Sequence, residues 1–387
     1  MLLTGKDKML RITFCLFLSM LFLSCGQKHE ENNDKTEIII IDNPSVLKDL
    51  TATAINLADS LLTTLTLEER VGQCLMPSIL SDTLPSNLSL YLKYIKDYHI
   101  GGIVLMKGNS SAAKKLSEIG EKVRIPLFIA IDAEWGLGMR LEDAPKYPKN
   151  GLIDKDADDD FLFDYGREIA KESKELGINM VLGPVIDIAA GNRGVIGTRS
   201  YGPDPNMVAE YGIAYAKGLE AGGVVSVAKH FPGHGRALND SHNKIAKLDR
   251  DISVLDSMDL KPFREYINSG LSGVMAGHIQ AKALDPDGTA ASVSMDMLTS
   301  LLREELGFKG LILTDAFNMG GAKGFSALQA LKAGADIVLC PDDLKKEYEN
   351  ILRGIDEGSL DVSTLNERCL RILFYKALFL ILPKEEK

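Results

Sequence analysis

The 387-residue chain has no surplus of positive charge, few cysteines and none of the common nucleotide or serine-hydrolase signatures. Its 44 Lys and Arg are outnumbered by 54 Asp and Glu, for a formal net charge of −10. That balance excludes nucleic acid as a partner, since nothing is left over to neutralise phosphates, and it chiefly favours solubility. Beyond the N-terminal region only Cys74, Cys340 and Cys369 remain. They are too far apart for a disulfide framework or a metal-ligand set and read as buried thiols. No Gly-x-Ser-x-Gly elbow occurs, and no phosphate loop or dinucleotide fingerprint either. No cofactor is implied. Internal repeats and low-complexity tracts are absent as well.

What is present begins with a processing segment. Lys6, Lys8 and Arg11 precede an apolar run, Ile12 to Leu23, that is too short to span a bilayer comfortably. The following Ser24-Cys25-Gly26 resembles a bacterial lipoprotein signal in which Cys25 becomes the lipidated residue. The alternative is an ordinary signal peptide with an incidental cysteine. Residues 1–25 are therefore expected to be a lipoprotein signal, 26–47 a polar tether and 48–387 one folded domain. The expected location is the bacterial cell envelope, periplasmic or outer-membrane associated, with the membrane reached through the lipid anchor.

Past the tether, short apolar runs alternate with longer amphipathic stretches. The candidate strands are Gln73-Met76, Gly102-Met106, Leu127-Asp132, Asn179-Val185, Val224-His230, Gly273-His278, Gly310-Asp315 and Ala335-Cys340. Most are continuously apolar, as strands covered on both faces should be. Helix-like segments such as Asp160-Leu176 and Asn206-Ala221 lie between them, with Asn206 as capping residue and Gly222-Gly223 as stop. Eight such pulses predict an α/β fold, a (β/α)₈ TIM-like barrel forming a single catalytic domain; an open doubly wound sheet is the alternative. Asp132, Asp187, Lys229 with His230, His278 and Asp315 fall at or just past the C-terminal ends of five different pulses. In barrels that end carries the active site.

The densest of these clusters is Lys229-His230-Phe231-Pro232-Gly233-His234-Gly235 followed by Asp240-Ser241-His242, with three of the six histidines in fourteen residues. Asp315, closing the run from Gly310, could be a nucleophile, a general base, a metal ligand or a helix cap. A carboxylate at Asp240 would fix the tautomer of His242 and raise its pKa from about 6.5, suiting it to proton transfer. His230 and His234 are four apart, yet Pro232, Gly233 and Gly235 forbid the helix that would turn them into zinc ligands. Lys229 and His230 fit better as donors to a polyhydroxylated ligand. Asp132, Trp135 and Arg140 belong to one glycine-rich loop, and Arg199 follows the fourth strand. Carboxylates, a lysine and arginines spread around one mouth suit sugar hydroxyls, which both donate and accept.

On these residues the chain resembles glycoside hydrolase family 3, in the single-barrel branch of bacterial β-N-acetylglucosaminidases, from about Leu65 to Phe374. The resemblance implies that Asp315 is the nucleophile, His242 the acid/base and Asp240 its orienting partner. It implies that Asp132, Arg140, Arg199, Lys229 and His230 bind the sugar. Trp135, where many members have glycine, would stack on a sugar or anchor its loop. It further implies a retaining exo-β-N-acetylglucosaminidase acting on peptidoglycan fragments or other GlcNAc-terminated glycans. A family 3 β-glycosidase or a phosphorylase, and in another class a non-catalytic glycan-binding lipoprotein, are the alternatives. Arg236-Ala237 and Asn243-Lys-Ile-Ala-Lys-Leu-Asp depart from the family pattern and alter the charge of the loop that bears His242.

Overall fold

A computed structural model describes residues 44–80, 88–154, 157–189, 194–237 and 240–382. The expected signal segment, Cys25 and most of the tether lie outside them, as does Pro383. A helix already runs over Pro44–Thr64, so the chain is helical over the last four residues of the expected tether.

The molecule has an α/β fold built on parallel strands. Seven of them, β2 (Ser78–Leu80), β3 (Gly102–Lys107), β4 (Phe128–Ile131), β5 (Met180–Val181), β6 (Val225–Phe231), β8 (Gly273–Ala276) and β10 (Leu311–Thr314), form one parallel sheet in the order β10-β8-β6-β5-β4-β3-β2. A separate parallel ladder joins β1 (Leu75–Met76) to β11 (Val338–Leu339). β1 lies directly before β2 in the chain, and a single bridge links Leu313 to Ile337 just ahead of β11. Between consecutive strands of the sheet the chain returns through helices such as Ser110–Glu121, Asp159–Glu175 and Pro205–Ala221. The strands are buried almost throughout because helices cover one face and packed side chains the other.

Local chemistry explains where elements begin and end. The Asp158 carboxylate caps Asp159–Glu175 by accepting from Phe161 N–H at 2.8 Å. Asp204, not the anticipated Asn206, caps Pro205–Ala221, with Pro205 in the first turn where its missing N–H is harmless. The fourth pulse, expected over Asn179-Val185, shortens to Met180–Val181. Ahead of it Asn179 keeps backbone bonds to Ile129 O and Val225 N–H and adds side-chain bonds, donating to Leu127 O at 3.0 Å and accepting from Ile129 N–H at 2.9 Å. Pro184, beyond the strand, has no N–H to offer. The first pulse, Gln73-Met76, yields only Leu75–Met76 as strand, because its Gln73 belongs to the helix Leu67–Gln73, and β2 beyond Pro77 lies outside the expected pulse. A small parallel pair, β7 (Ala246–Lys247) with β9 (Ile279–Gln280), was not legible in the sequence. Cys74, Cys340 and Cys369 are buried free thiols, as read from their spacing.

Candidate active site

Every polar residue singled out at a strand end emerges from the C-terminal side of the sheet. Asp132 follows β4, Lys229 and His230 lie in the last turns of β6, His278 follows β8 and Asp315 follows β10. At the centre is a buried charge network. Lys229, 2 % exposed, reaches Asp132 at 2.6 Å and Glu134 at 2.8 Å. Arg199 grips Glu134 with two bonds, Nε to Oε2 at 2.9 Å and Nη2 to Oε1 at 2.7 Å. Arg140 donates to the other Asp132 oxygen. The two carboxylates bind three cations, so each buried carboxylate is matched and the cluster keeps one positive charge in excess. Burial alone would raise the Asp132 and Glu134 carboxyls, but Lys229 together with Arg140 or Arg199 holds both well below the usual range. Lys229 is pulled down by burial and pulled up further by the same two carboxylates, so it stays charged. Arg140 and Arg199 keep 29 % and 18 % of their side chains exposed and so present cationic N–H groups at the open edge.

A second carboxylate, Asp187, organises the histidines. It accepts from His230 Nδ1 at 2.7 Å, from the His230 backbone N–H at 3.2 Å and from the His234 backbone N–H at 2.5 Å. With its Nδ1 proton committed to Asp187, His230 turns Nε2 toward Arg199 Nη2 at 3.5 Å. The Lys229–His230 peptide is cis. His234 is buried, and its Nε2 lies 2.8 Å from Ser241 Oγ. These contacts occupy the two histidines separately. Among the described residues no three His, Cys, Asp or Glu converge as a metal set.

Asp315 is 8 % exposed, and its Oδ1 accepts from Ala316 N–H at 2.8 Å. Burial pushes its carboxyl up; His230, His278, that backbone bond and Lys229 together push it down further, leaving it below the ordinary aspartate value. His278 donates from Nε2 to Ala316 O at 3.0 Å and accepts at Nδ1 from Ser292 Oγ at 2.8 Å, which props the residue next to Asp315. Burial lowers the His278 pKa, consistent with a neutral ring in those two bonds.

His242 stands apart, its side chain 59 % exposed on the loop after β6. Asp240 Oδ1 accepts from both its backbone N–H at 2.9 Å and its Nδ1 at 2.7 Å. Nδ1–H is therefore fixed on Asp240 and Nε2 is the free nitrogen. Burial raises and the His242 bonds lower the Asp240 carboxyl, with a net fall below the ordinary value. No hydrogen bond joins His242 to the Lys229 network. Trp135 is half-buried, with Lys149 Nζ 5.3 Å from its ring centroid, so one ring face is already covered. Arg236, a departure from the family pattern, donates from Nε and Nη2 to the two oxygens of buried Asp259 at 3.1 and 2.5 Å.

Three partners escaped the sequence reading as site residues: Glu134, Asp187 and His278. Glu134 was visible two positions after Asp132, on the same loop. Asp187 and His278 were legible as polar ends of apolar runs, but their contacts were not.

The sequence profile of the Glycosyl hydrolase family 3 N terminal domain matches residues 66–374. The chain belongs to glycosyl hydrolase family 3. Among family relatives, it is 36 % identical over 261 residues to a beta-hexosaminidase of Nitrosomonas eutropha, covering 63 % of this chain and 74 % of that one. It is 33 % identical over 324 residues to beta-hexosaminidase A of Pseudoalteromonas piscicida, covering 74 % of this chain. The match spans about half, 54 %, of that relative's length. The fold superposes on a family 3 beta-N-acetylglucosaminidase from a Paenibacillus species with a TM-score of 0.75 and 29 % identity, covering 84 % of this chain and 64 % of that one.

Proposed function

We propose that the protein is a retaining exo-β-N-acetylglucosaminidase that removes terminal β-linked GlcNAc from peptidoglycan fragments or related glycans. The observation that carries this is that the buried carboxylate at the end of β10, Asp315, and the carboxylate-oriented His242 on the loop after β6 lie on segments joined by backbone bonds from Gly320 and Gly321. Asp315 attacks the anomeric carbon through an oxocarbenium-like transition state as the bond to the leaving oxygen breaks. His242, protonated on both nitrogens, gives its Nε2 proton to that oxygen while Nδ1–H stays on Asp240. The freed Nε2 then takes a proton from water, whose oxygen displaces Asp315 and restores the β configuration. Asp132, Arg140, Arg199, Lys229 and His230 bind the sugar hydroxyls, with Trp135 at the rim.

The β1–β11 ladder, its continuity with β2 and the Leu313–Ile337 bridge support reading the parallel strands as a closed (β/α)₈ barrel. Lipidation of Cys25 would place this domain on the cell envelope, where GlcNAc-terminated peptidoglycan fragments arise. The similarity to named beta-hexosaminidases supports the sugar assignment.

The test is proton NMR of p-nitrophenyl β-GlcNAc during the first turnovers, with the β-glucoside alongside. The β-anomer of GlcNAc should form first and the glucoside should react far more slowly. First formation of the α-anomer would overturn the double displacement, and preference for the glucoside would overturn the sugar assignment.

A further inference from the structure

The segment after Asp315 and the loop bearing His242 are joined by their backbones. Gly320 N–H donates to His242 O at 2.9 Å, and Gly321 N–H donates to Ser241 O at 3.0 Å. The contact leaves no room for side chains. A methyl group on Gly320 would stand 2.5 Å from Asn243 O and 2.9 Å from His242 O, and one on Gly321 2.6 Å from Ser241 O. A third tie comes from the opposite side, where buried His234 holds Ser241 Oγ through Nε2 at 2.8 Å. The dock is itself fixed to the candidate nucleophile. Asp315 N–H donates to Ala276 O at 2.8 Å, Phe317 N–H to Leu339 O at 3.0 Å, and His278 holds Ala316 O at 3.0 Å.

We propose that Gly320 and Gly321, clasped by the His234–Ser241 bond, are positioning residues that set His242 against Asp315. The proposal rests on the reading of His242 as acid/base. An exposed histidine on a long loop has no packing of its own to fix its place. Fixing its carbonyl and its neighbour's to the short, pinned stretch that begins with Asp315 supplies that place. Glycine is required on the dock because two backbones meet there without a Cβ between them. Displacing an acid/base group by about 1 Å can remove a large part of its contribution, on the order of 100-fold.

The experiment compares 2,4-dinitrophenyl β-GlcNAc, whose leaving group needs no protonation, with 4-methylphenyl β-GlcNAc, whose leaving group does. His242→Ala should lower kcat/KM on the methylphenyl substrate by about 100-fold or more and on the dinitrophenyl substrate by less than about tenfold. Gly320→Ala and Gly321→Ala should show the same selective loss, about 10- to 100-fold on the poor leaving group. Added to His242→Ala, either glycine variant should change the rate by less than about twofold, because both changes remove one function.

Equal losses on the two substrates, or a full glycine effect that persists in the His242→Ala background, would overturn the dock. A His242→Ala enzyme with no leaving-group preference would overturn the acid/base reading, and the dock with it. Should the glycine variants fail to fold, Ser241→Ala removes only the clasp and adds no bulk. It should then show a selective loss of about three- to tenfold, and an unselective or absent effect overturns the proposal.

Discussion

Among the described residues two lysines are almost wholly buried, one at each end of the parallel strands, and their surroundings drive them in opposite directions. Lys229, where β6 ends, lies between Asp132 and Glu134, and its pKa is raised despite burial. Lys376, where the strands begin, has its Nζ on Gln73 Oε1 at 2.6 Å and over the Phe128 ring, 5.3 Å from the centroid. Burial lowers that lysine to about 7. Burial is equal, so the partner decides: a carboxylate keeps the charge and a neutral amide lets it go. The same division holds for carboxylates. Asp132 is held down by cations, whereas Glu220, bonded to Ser226 Oγ at 2.6 Å and Ser272 N–H at 2.8 Å beneath the sheet, is raised by burial to about 7. At the C-terminal end cations hold Asp132 and Glu134 ionised; at the other end Lys376 and Glu220, whose hydrogen-bond partners are neutral, are pushed toward the uncharged form, whereas Asp336 there is paired with Arg303 and Arg371.

That contrast is sharpest at Asp315. Asp315→Asn should reduce hydrolysis of p-nitrophenyl β-GlcNAc by at least about 1000-fold. Its melting temperature should fall only slightly, because His230, His278 and Lys229 favour the lost charge without forming a direct ion pair with it. A variant that loses activity by unfolding would erase the distinction between the two ends.

Lys229→Met should harm both properties. Removing the shared cation leaves Asp132 and Glu134 buried side by side with only the arginines, at about 3–5 kcal/mol in urea denaturation. Activity should drop about 100-fold or more as the sugar loses a donor. Unchanged stability would mean that the arginines alone neutralise the pair.

At the opposite end only stability should respond, and with pH. The Lys376 pKa falls from 10.5 to about 7 on folding, so between those values the unfolded chain binds a proton that the fold does not. Stability therefore rises with pH across that window. In Lys376→Met the rise should be absent between pH 7 and 9, with kcat/KM within about twofold of wild type. Glu220 has the opposite sign. Its folded pKa of about 7 exceeds the ordinary 4.5, so its contribution is complete below 4.5 and lost as pH climbs through 7. Glu220→Gln should accordingly gain on wild type in melting temperature from pH 5 to pH 8, the smallest of these effects.

Much of this arrangement was legible in the sequence. Leu311–Thr314 followed by Asp315, and Val225–Ala228 followed by Lys229 and His230, are apolar runs ending in charge, which a strand entering a polar mouth must produce. The Asp240–His242 pair was legible because it is closed locally, over two residues. Asp187 as the base of both His230 and His234 was not, since its contacts span 43 and 47 residues. The Asn179 side chain that reaches across to Leu127 and Ile129 at the start of β5 was not legible either, because apolar periodicity does not encode it. Arg236 looked like a change of loop charge; its bidentate bond to Asp259 makes it an anchor at the root of the loop.

The sequence by itself determined the parallel α/β class, the end of the strands where charge collects and the local dyad on the His242 loop. These follow from side-chain order along a strand and from bonds between near neighbours. Only the tertiary structure decided which charges compensate which. Lys229 and Asp132 are 97 positions apart, and the dock that pairs Gly320 and Gly321 with His242 and Ser241 is a meeting of two loops. Electrostatic energy depends on distance and on exclusion of water, and both are properties of the folded chain.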